Sequence, residues 1–193
     1  MKSIGVFCGS NHGNSDLYGV LAASLGRAMA ERQIALVYGG GKVGLMGAIA
    51  DAVVAAGGDV IGVMPQALID KEIGHPGIGE LIVTTTMHER KAIMADRADG
   101  FIALPGGFGT LDEFCEILTW AQLGYHSKPC GILDIDGFFT DLLAFFDHAT
   151  SRGFIQPQHR QMLIESSNPV DLLDRMSDFQ PSFTPKWVTA PQP

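Results

Sequence analysis

The stretch ALPGGFGTLDEF, residues 103–114, places three glycines directly after an apolar run and two carboxylates shortly behind them. Glycine is unfavourable inside helices and strands, so this cluster indicates backbone that turns sharply or approaches another group closely. The apolar run predicts a strand, and the segment behind the glycines predicts a helix. Because backbone N–H groups at a helix N-terminus bind anions, the stretch predicts a phosphate site between a strand and a helix.

Outside this stretch, short apolar runs alternate with longer segments of helical period. Strands are predicted at 4–8, 35–38, 60–64, 81–84, 101–104 and 131–135. Helices are predicted near 16–32, 44–57, 88–98, 110–123, 138–152 and 168–176. In the last of these, Asn168 is placed to cap the helix and Pro169 to occupy its first turn. The alternation predicts an α/β fold: a doubly wound, Rossmann-like parallel sheet flanked by helices in a single domain.

Length and end composition bound the domain. A chain of 193 residues is long enough for one hydrophobic core and short for two. We predict one domain over residues 1–178, followed by a proline-rich, loosely ordered tail over residues 179–193. The first ten residues carry a single lysine and only a short apolar run. They therefore predict neither a signal peptide nor a membrane span, and the cytoplasm is the expected compartment.

Composition argues against several classes of function. A net charge of −8 disfavours a broad nucleic-acid-binding surface, so an anionic ligand needs a local site. Three cysteines, Cys8, Cys115 and Cys130, are too few and too scattered for a disulfide framework or a zinc ribbon. The six histidines show no metal-ligand spacing, and the GxSxG elbow of serine hydrolases is missing. We expect no metal, no nucleic acid and no membrane partner.

Three glycine-rich turns follow predicted strands, at residues 8–15, 38–47 and 104–110. A lone turn of this kind is an ordinary tight turn in roughly half of all cases. In a doubly wound sheet, however, ligands bind at the carboxyl ends of the strands, where all three turns would meet. Three turns at one edge therefore favour an anion-binding site there.

The second turn formally matches GxGxxG through Gly39, Gly41 and Gly44. A dinucleotide-binding fingerprint normally follows the first strand, with an acidic residue at the end of the next one, and neither condition is met here. The turn also fails as a Walker A loop, because Val43 stands where a hydroxyl residue would hold magnesium. Lys42 is as consistent with a solvated lysine at a helix start as with a ligand contact.

Longer motifs carry a family resemblance. PGGFGTLDE (105–113) fits the pattern PGGxGTxxE, and YGGGKVGLMGAIADA (38–52) and MHERKAIMADRADGFIALPGG (87–107) fit its surroundings. From about residue 4 to residue 176 the chain resembles the LOG family of cytokinin riboside 5′-monophosphate phosphoribohydrolases. Sequences of this kind are often labelled lysine decarboxylases, but neither motif supplies an evident lysine to anchor pyridoxal phosphate. We therefore expect no cofactor.

The resemblance implies hydrolysis of the N-glycosidic bond of an adenosine-type 5′-monophosphate, releasing the free base and ribose 5-phosphate. Breaking this bond builds positive charge on the ribose, so the site needs an anion near the sugar and a firm hold on the phosphate. Phosphate binding is predicted for the motif residues Gly106, Gly107, Gly109 and Thr110. Glu113, expected in the first turn of the following helix, would stay ionised and stabilise the sugar cation.

Other roles come from the resemblance alone. It makes Arg90 the catalytic arginine that works with Glu113, and Lys91 a substrate contact. It also assigns substrate contacts to Glu72 and Thr119. Met87 could pack on the adenine, although a methionine at helical spacing is more often a core residue. Without the motif, a charged pair such as Arg90 and Lys91 would be taken as a solvated helix face.

Two alternatives stay open, together with a prediction about assembly. The same turns could serve a protein that carries a nucleotide or a phosphorylated cofactor without chemistry, although Arg90 and Glu113 are both present. An AMP nucleosidase of broad specificity would cleave the same bond, and the preferred base depends on cavity shape. The family is dimeric by resemblance, and the helix over 113–125 carries more apolar surface than one stripe needs, so we predict a homodimer.

Overall fold

Strands and helices alternate along residues 1–71, 74–75 and 77–181, which are the residues described in a computed structural model of the chain. The strands are β1 (Ser3–Phe7), β2 (Ala35–Tyr38), β3 (Val60–Pro65), β4 (Glu80–Thr84), β5 (Gly100–Ala103), β6 (Cys130–Leu133) and β7 (Leu163–Ser166). The helices are α1 (Asp16–Glu31), α2 (Gly44–Ala55), α3 (Gln66–Ile69), α4 (Met87–Arg97), α5 (Phe108–Leu123), α6 (Thr140–Ser151), α7 (Pro157–Arg160) and α8 (Pro169–Ser177).

One parallel sheet contains these strands in the order β4-β3-β2-β1-β5-β6-β7. The order reverses beside β1, since the chain first builds outward to β4 and then returns to add β5. Val6 pairs with Tyr38 and Phe7 with Ala103, so β1, β2 and β5 end at the same edge. A crevice for a ligand is expected at this reversal point. The predicted doubly wound α/β fold is confirmed.

Two hydrophobic clusters cover the two faces of the sheet. Alternate residues of β1 divide between them, because successive side chains of a strand point to opposite faces. Ile4 and Val6 belong to the cluster beneath α1, α2 and α8, and Phe7 belongs to the cluster beneath α4, α5 and α6. Burial on both faces explains why these strands are continuous apolar runs rather than alternating ones.

All six strands predicted from the sequence are present, with ends shifted by at most two residues. The sequence missed β7, a four-residue edge strand that includes Glu165, and the single-turn helices α3 and α7. It also placed the start of α5 two residues too late. The helix begins at Phe108 and includes Gly109, because its cap is the backbone of Gly107 rather than a polar side chain. The prediction that Glu113 lies in the first turn is therefore wrong, and it lies in the second.

The C-terminal helix follows its predicted cap. The Asn168 side-chain oxygen accepts hydrogen bonds from the N–H groups of Val170 at 2.9 Å and Asp171 at 3.1 Å, and Pro169 is the first helical residue. Residues 182–193 of the predicted tail lie outside the described residues. In the part of the chain that is described, none of the helices combines the length and the apolar composition that crossing a membrane requires.

Candidate active site

A cleft of about 580 Å³ opens at the carboxyl edge of the sheet, beyond the ends of β1 and β5. Its walls come from the turns after β1, β2 and β5 and from the first turn of α4. Backbone hydrogen bonds hold the turns together, since Gly9 N–H donates to Pro105 O at 2.9 Å and Leu45 N–H donates to Gly9 O at 3.0 Å. The three glycine-rich turns found in the sequence thus meet in one place.

The turn after β5 is open toward this cleft. A Cβ atom added at Gly107 or Gly109 would have nothing within 4 Å. Gly107 is the N-cap of α5, and no side chain among the described residues caps this helix. Thr110, buried in the first turn of α5, also lines the cleft. An uncapped helix N-terminus beside a threonine hydroxyl is suited to bind a phosphate group.

A buried ion pair lies beside that turn. The Arg90 guanidinium donates from Nη1 to Glu113 Oε1, and from Nε to the carbonyl of Val63 at 3.0 Å. The side chains are only 8% and 12% exposed, so the two charges depend on each other for solvation. Both residues line the cleft, which gives it a carboxylate fixed by an arginine.

The start of α4 places Arg90. Thr86 is the N-cap, and its hydroxyl accepts a hydrogen bond from Glu89 N–H at 3.1 Å. The Glu89 carboxylate in turn accepts from the N–H of Thr85 at 2.7 Å and from its hydroxyl at 2.8 Å, and these two hydrogen bonds lower the pKa of Glu89. This reciprocal capping fixes the entry of the helix, so that Arg90, four residues after Thr86, points into the cleft.

Lys91, the next residue of α4, pairs with carboxylates of α5 that do not line the cleft. Its ammonium nitrogen lies 2.9 Å from Glu116 and 3.3 Å from Asp112. The hydrogen bond to Glu116 raises the pKa of Lys91. Lys91 is not among the described residues that line the cleft.

Thr119 also lies away from the cleft. Its hydroxyl donates to the carbonyl of Cys115 at 2.7 Å, and both residues line a second cavity, of about 240 Å³, between α5, α6 and α7. Glu72 lies outside the described residues. The structure therefore brings together seven of the ten site residues proposed from the sequence, and leaves Lys91 and Thr119 elsewhere. The seven are Met87, Arg90, Gly106, Gly107, Gly109, Thr110 and Glu113.

Apart from Met87, sequence reasoning missed the apolar residues at the two ends of the cleft. Met46 and Met64 line the end near β3, together with Met87. Tyr18 and Phe138 line the opposite end as an edge-to-face pair with ring centroids 5.8 Å apart. The only sequence signal was position, because Tyr18 and Met46 fall in the first turn of the helices that follow two of the glycine turns.

Cys8 lies in the cleft as well. Burial raises the pKa of its thiol, and the nearby Glu113 carboxylate raises it further. Because the thiolate is the nucleophilic form, a thiol held protonated in this way contributes packing rather than covalent chemistry.

Comparisons with known proteins agree with the family resemblance. Residues 46–176 match the family described as possible lysine decarboxylase. The chain is 48% identical to cytokinin riboside 5′-monophosphate phosphoribohydrolase LOG7 of Arabidopsis thaliana, over 94% of this chain and 84% of the relative. It is 46% identical to the probable phosphoribohydrolase LOGL2 of Oryza sativa subsp. japonica, over 93% of this chain and 74% of the relative.

Solved structures with the same fold include carriers of a cofactor. The molybdenum cofactor binding protein of Rippkaea orientalis matches with a TM-score of 0.70 at 23% identity, over 91% of this chain and 95% of that one. The Moco carrier protein of Chlamydomonas reinhardtii matches with a TM-score of 0.69 at 22% identity, over 91% and 95% of the two chains. At these identities the likeness shows the fold alone.

Pyridoxal phosphate, which a lysine decarboxylase would use, does not fit the site. That cofactor needs a lysine amine to form its internal Schiff base. The described residues that line the cleft include no lysine, and Lys91 is paired with two carboxylates of α5 that do not line it. The family description therefore does not define the chemistry of this cleft.

Proposed function

We propose, because the chain belongs to the family of cytokinin riboside 5′-monophosphate phosphoribohydrolases, that it hydrolyses the N-glycosidic bond of N6-substituted AMP. The products are the free cytokinin base and ribose 5-phosphate. The observation that carries the proposal is the buried pair of Arg90 and Glu113, which stands beside the open N-terminus of α5 in one cleft.

The phosphate binds at the open turn. Its oxygens accept hydrogen bonds from backbone N–H groups of Gly107 and Gly109 and from the Thr110 hydroxyl, and the α5 dipole favours the negative charge. The phosphate lies far from the bond that breaks, so its binding energy serves to orient the ribose. This arrangement makes the 5′-phosphate a condition for efficient turnover.

The charge that develops on the sugar is met by Glu113. As the bond from C1′ to the base nitrogen breaks, its electron pair leaves with the base and C1′ gains cationic character. The Glu113 carboxylate is already fixed by Arg90, so it stabilises this charge without reorganising. Water then bonds to C1′ and gives up one proton, which balances the N–H of the released base.

The methionine-lined end suits the base. Met87 is 45% exposed and lines the cleft with Met46 and Met64. Thioether side chains are flexible and polarizable, so this wall can adapt to a planar ring that carries an N6 substituent. We assign the base to this end and the phosphate to the turn after β5.

The enzyme acts as a cytoplasmic homodimer. Its three cysteines are free thiols, as is usual in a reducing compartment. Within one copy Thr119 faces the second cavity, so a contact from this residue to substrate requires the cleft of another copy. Static light scattering at micromolar protein should give the mass of a dimer, and a monomer mass would contradict this assignment.

The test of the activity is product analysis with purified protein. AMP and isopentenyladenosine 5′-monophosphate are incubated separately, and each should yield free base and ribose 5-phosphate, with the N6-substituted nucleotide turned over faster. Equal rates would favour a broad AMP nucleosidase, and tight binding without turnover would favour a carrier. Full activity on the riboside without phosphate would contradict the assigned role of the open turn.

A further inference from the structure

The chain that follows α3 is fastened to the glycine turn after β2. Gly74 pairs with Gly41 as an antiparallel bridge, and the N–H of His75 donates to Gly40 O at 2.9 Å. The imidazole Nε2 of His75 lies 3.0 Å from Asp51 Oδ1, on α2. We call these contacts the latch: the Asp51–His75 pair, the Gly40–His75 hydrogen bond and the Gly41–Gly74 bridge.

The latch stands outside the cleft. Neither Asp51 nor His75 is among its described lining residues, and the Asp51 side chain is 72% exposed. The proposed hydrolysis therefore gives no direct role to either side chain. A contact to a largely solvent-exposed carboxylate such as that of Asp51 also contributes little to global stability, so stability alone does not account for the arrangement.

The turn that the latch fastens is itself part of the cleft wall. Gly39 lines the cleft, and a Cβ atom added there would collide with the Arg90 guanidinium and stand 3.2 Å from the Met46 sulfur. A Cβ atom at Gly40 would stand 3.2 Å from Met64. The turn therefore packs against the catalytic arginine on one side and against the methionine wall on the other.

We propose that Asp51 and His75 are positioning residues for substrate binding, a proposal that rests on the hydrolysis assigned to this cleft. Contacts run from Asp51 to His75, from His75 to Gly40, and from the adjacent Gly39 to Arg90. Neither Asp51 nor His75 touches the substrate. Their effect is to hold the glycine turn in the shape that the nucleotide meets.

Loss of the latch should act mainly on binding. The backbone N–H of His75 still donates to Gly40 in every variant, but a segment no longer anchored to Asp51 holds the turn less firmly. Gly40 has φ +76, a conformation open to glycine, so the turn then gains freedom that the nucleotide must remove on binding. Arg90 keeps its own hydrogen bonds to Val63 and Glu113. The bound complex therefore reacts at a nearly normal rate, which raises KM and leaves kcat in place.

The experiment is a double-mutant cycle on the full chain, with Asp51→Ala, His75→Ala and the double variant. Each single change should raise KM about threefold, the order expected for one exposed pair, with kcat within about twofold. The double variant should be no worse than His75→Ala, because both changes remove the same contact. His75→Gln, which keeps a donor for Asp51, should recover most of the loss.

Asp174→Ala is the matched control. Asp174 is also an exposed carboxylate, paired with Arg32 at 2.7 Å, but it lies on α8 and lines neither the cleft nor the second cavity. Its removal should leave KM unchanged. Thermal melting of every variant identifies any loss of folding. If His75→Ala does not fold, Asp51→Ala must still raise KM and His75→Gln must leave KM near the wild-type value, or the proposal is overturned.

The outcomes separate this proposal from the assigned activity. Three results would contradict the proposed role of the latch. These are an unchanged KM in both single variants, effects on KM that multiply in the double variant, and a fall in kcat alone. Calorimetric titration with AMP is run on the same proteins. If the wild type binds AMP but releases base from neither AMP nor isopentenyladenosine 5′-monophosphate, the proposed hydrolysis is wrong. The Kd values of the variants, compared in the same way as KM, then test the latch. If the wild type binds neither nucleotide, both proposals are overturned.

Discussion

Two glycine turns of this molecule have similar sequences and opposite surroundings. In the filled turn, residues 39–47, protein atoms occupy the space that side chains would need: an added Cβ atom at Gly44 would collide with the backbone of Ser10 and Asn11, and one at Gly47 with the carbonyl of Lys42. In the open turn, residues 107–109, a Cβ atom at either glycine meets nothing within 4 Å. The fold therefore needs glycine in the filled turn, whereas in the open turn only the proposed phosphate would need it.

The difference shows why glycine motifs mislead. The formal GxGxxG match falls on the filled turn, where the first N–H of α2 beyond Gly44 already donates to Gly9 O. That turn has little capacity left for a pyrophosphate. The open turn has fewer glycines at the spacing of a dinucleotide-binding motif. The start of α5, the helix that follows it, nevertheless faces the cleft. Whether a glycine turn has room for a ligand depends on how much of the space around each Cα atom is already occupied.

Replacing Gly44 is the strongest test that the filled turn serves the fold. Gly44→Ala forces a side chain into φ +62 and into the backbone of the turn after β1. We expect a loss of about 4 kcal/mol in the free energy of unfolding, the upper part of the range for single changes. Urea unfolding followed by circular dichroism measures it. An unchanged midpoint would remove the distinction between the two turns.

The second-largest effect is expected at Glu113, on the helix that follows the open turn. Glu113→Gln keeps the shape of the side chain and removes its charge. We expect kcat to fall by about 100-fold, or about 3 kcal/mol, because a preorganised charge no longer faces the developing cation. Steady-state kinetics measures it, and AMP affinity should change much less. A folded variant with near wild-type kcat would exclude Glu113 from the mechanism.

Replacing Gly107 tests the open turn directly. Gly107 has φ −98, which any residue adopts, and an added methyl meets no protein atom, so Gly107→Ala should melt at the wild-type temperature. The methyl instead stands where the phosphate approaches, and we expect AMP affinity to fall about tenfold, or about 1.4 kcal/mol. Calorimetric titration measures it. A large loss of stability with normal affinity would reverse the assignment of the two turns.

Most of the fold was predictable because it depends on local pattern. Continuous apolar runs identified six strands, and Asn168 followed by Pro169 identified the start of α8. The start of α5 was missed because a glycine was taken to end regular structure, whereas a helix tolerates one in its first turn, where backbone N–H groups lack internal partners. The edge strand β7 was missed because its last two residues, Glu165 and Ser166, are polar and only partly buried.

The sequence predicted which residues form the candidate site better than it predicted where their side chains point. The motif identified Glu113 and Arg90, but their contact depends on how α4 and α5 pack. Thr119 follows Glu113 by six residues, which on a helix turning about 100° per residue places it roughly 120° around the axis. That periodicity was a usable signal that both residues could not face one cleft. For Lys91 the signal was its adjacency to Arg90, since neighbouring helix positions do not share a face.

The smallest effect is expected just before the filled turn, at Tyr38, the last residue of β2. Its side chain is fully buried, its hydroxyl has no hydrogen-bond partner within the part of the chain that the structure describes, and burial raises its pKa. A buried hydroxyl without a partner costs free energy, whereas phenylalanine keeps the ring and its packing. Tyr38→Phe should therefore stabilise the fold by about 1 kcal/mol, with kcat and KM unchanged. Urea unfolding and thermal melting measure the gain. A loss of similar size would mean that the hydroxyl is hydrogen-bonded in solution, for example to a water molecule, and that the filled turn rests on a polar contact rather than on dry packing alone.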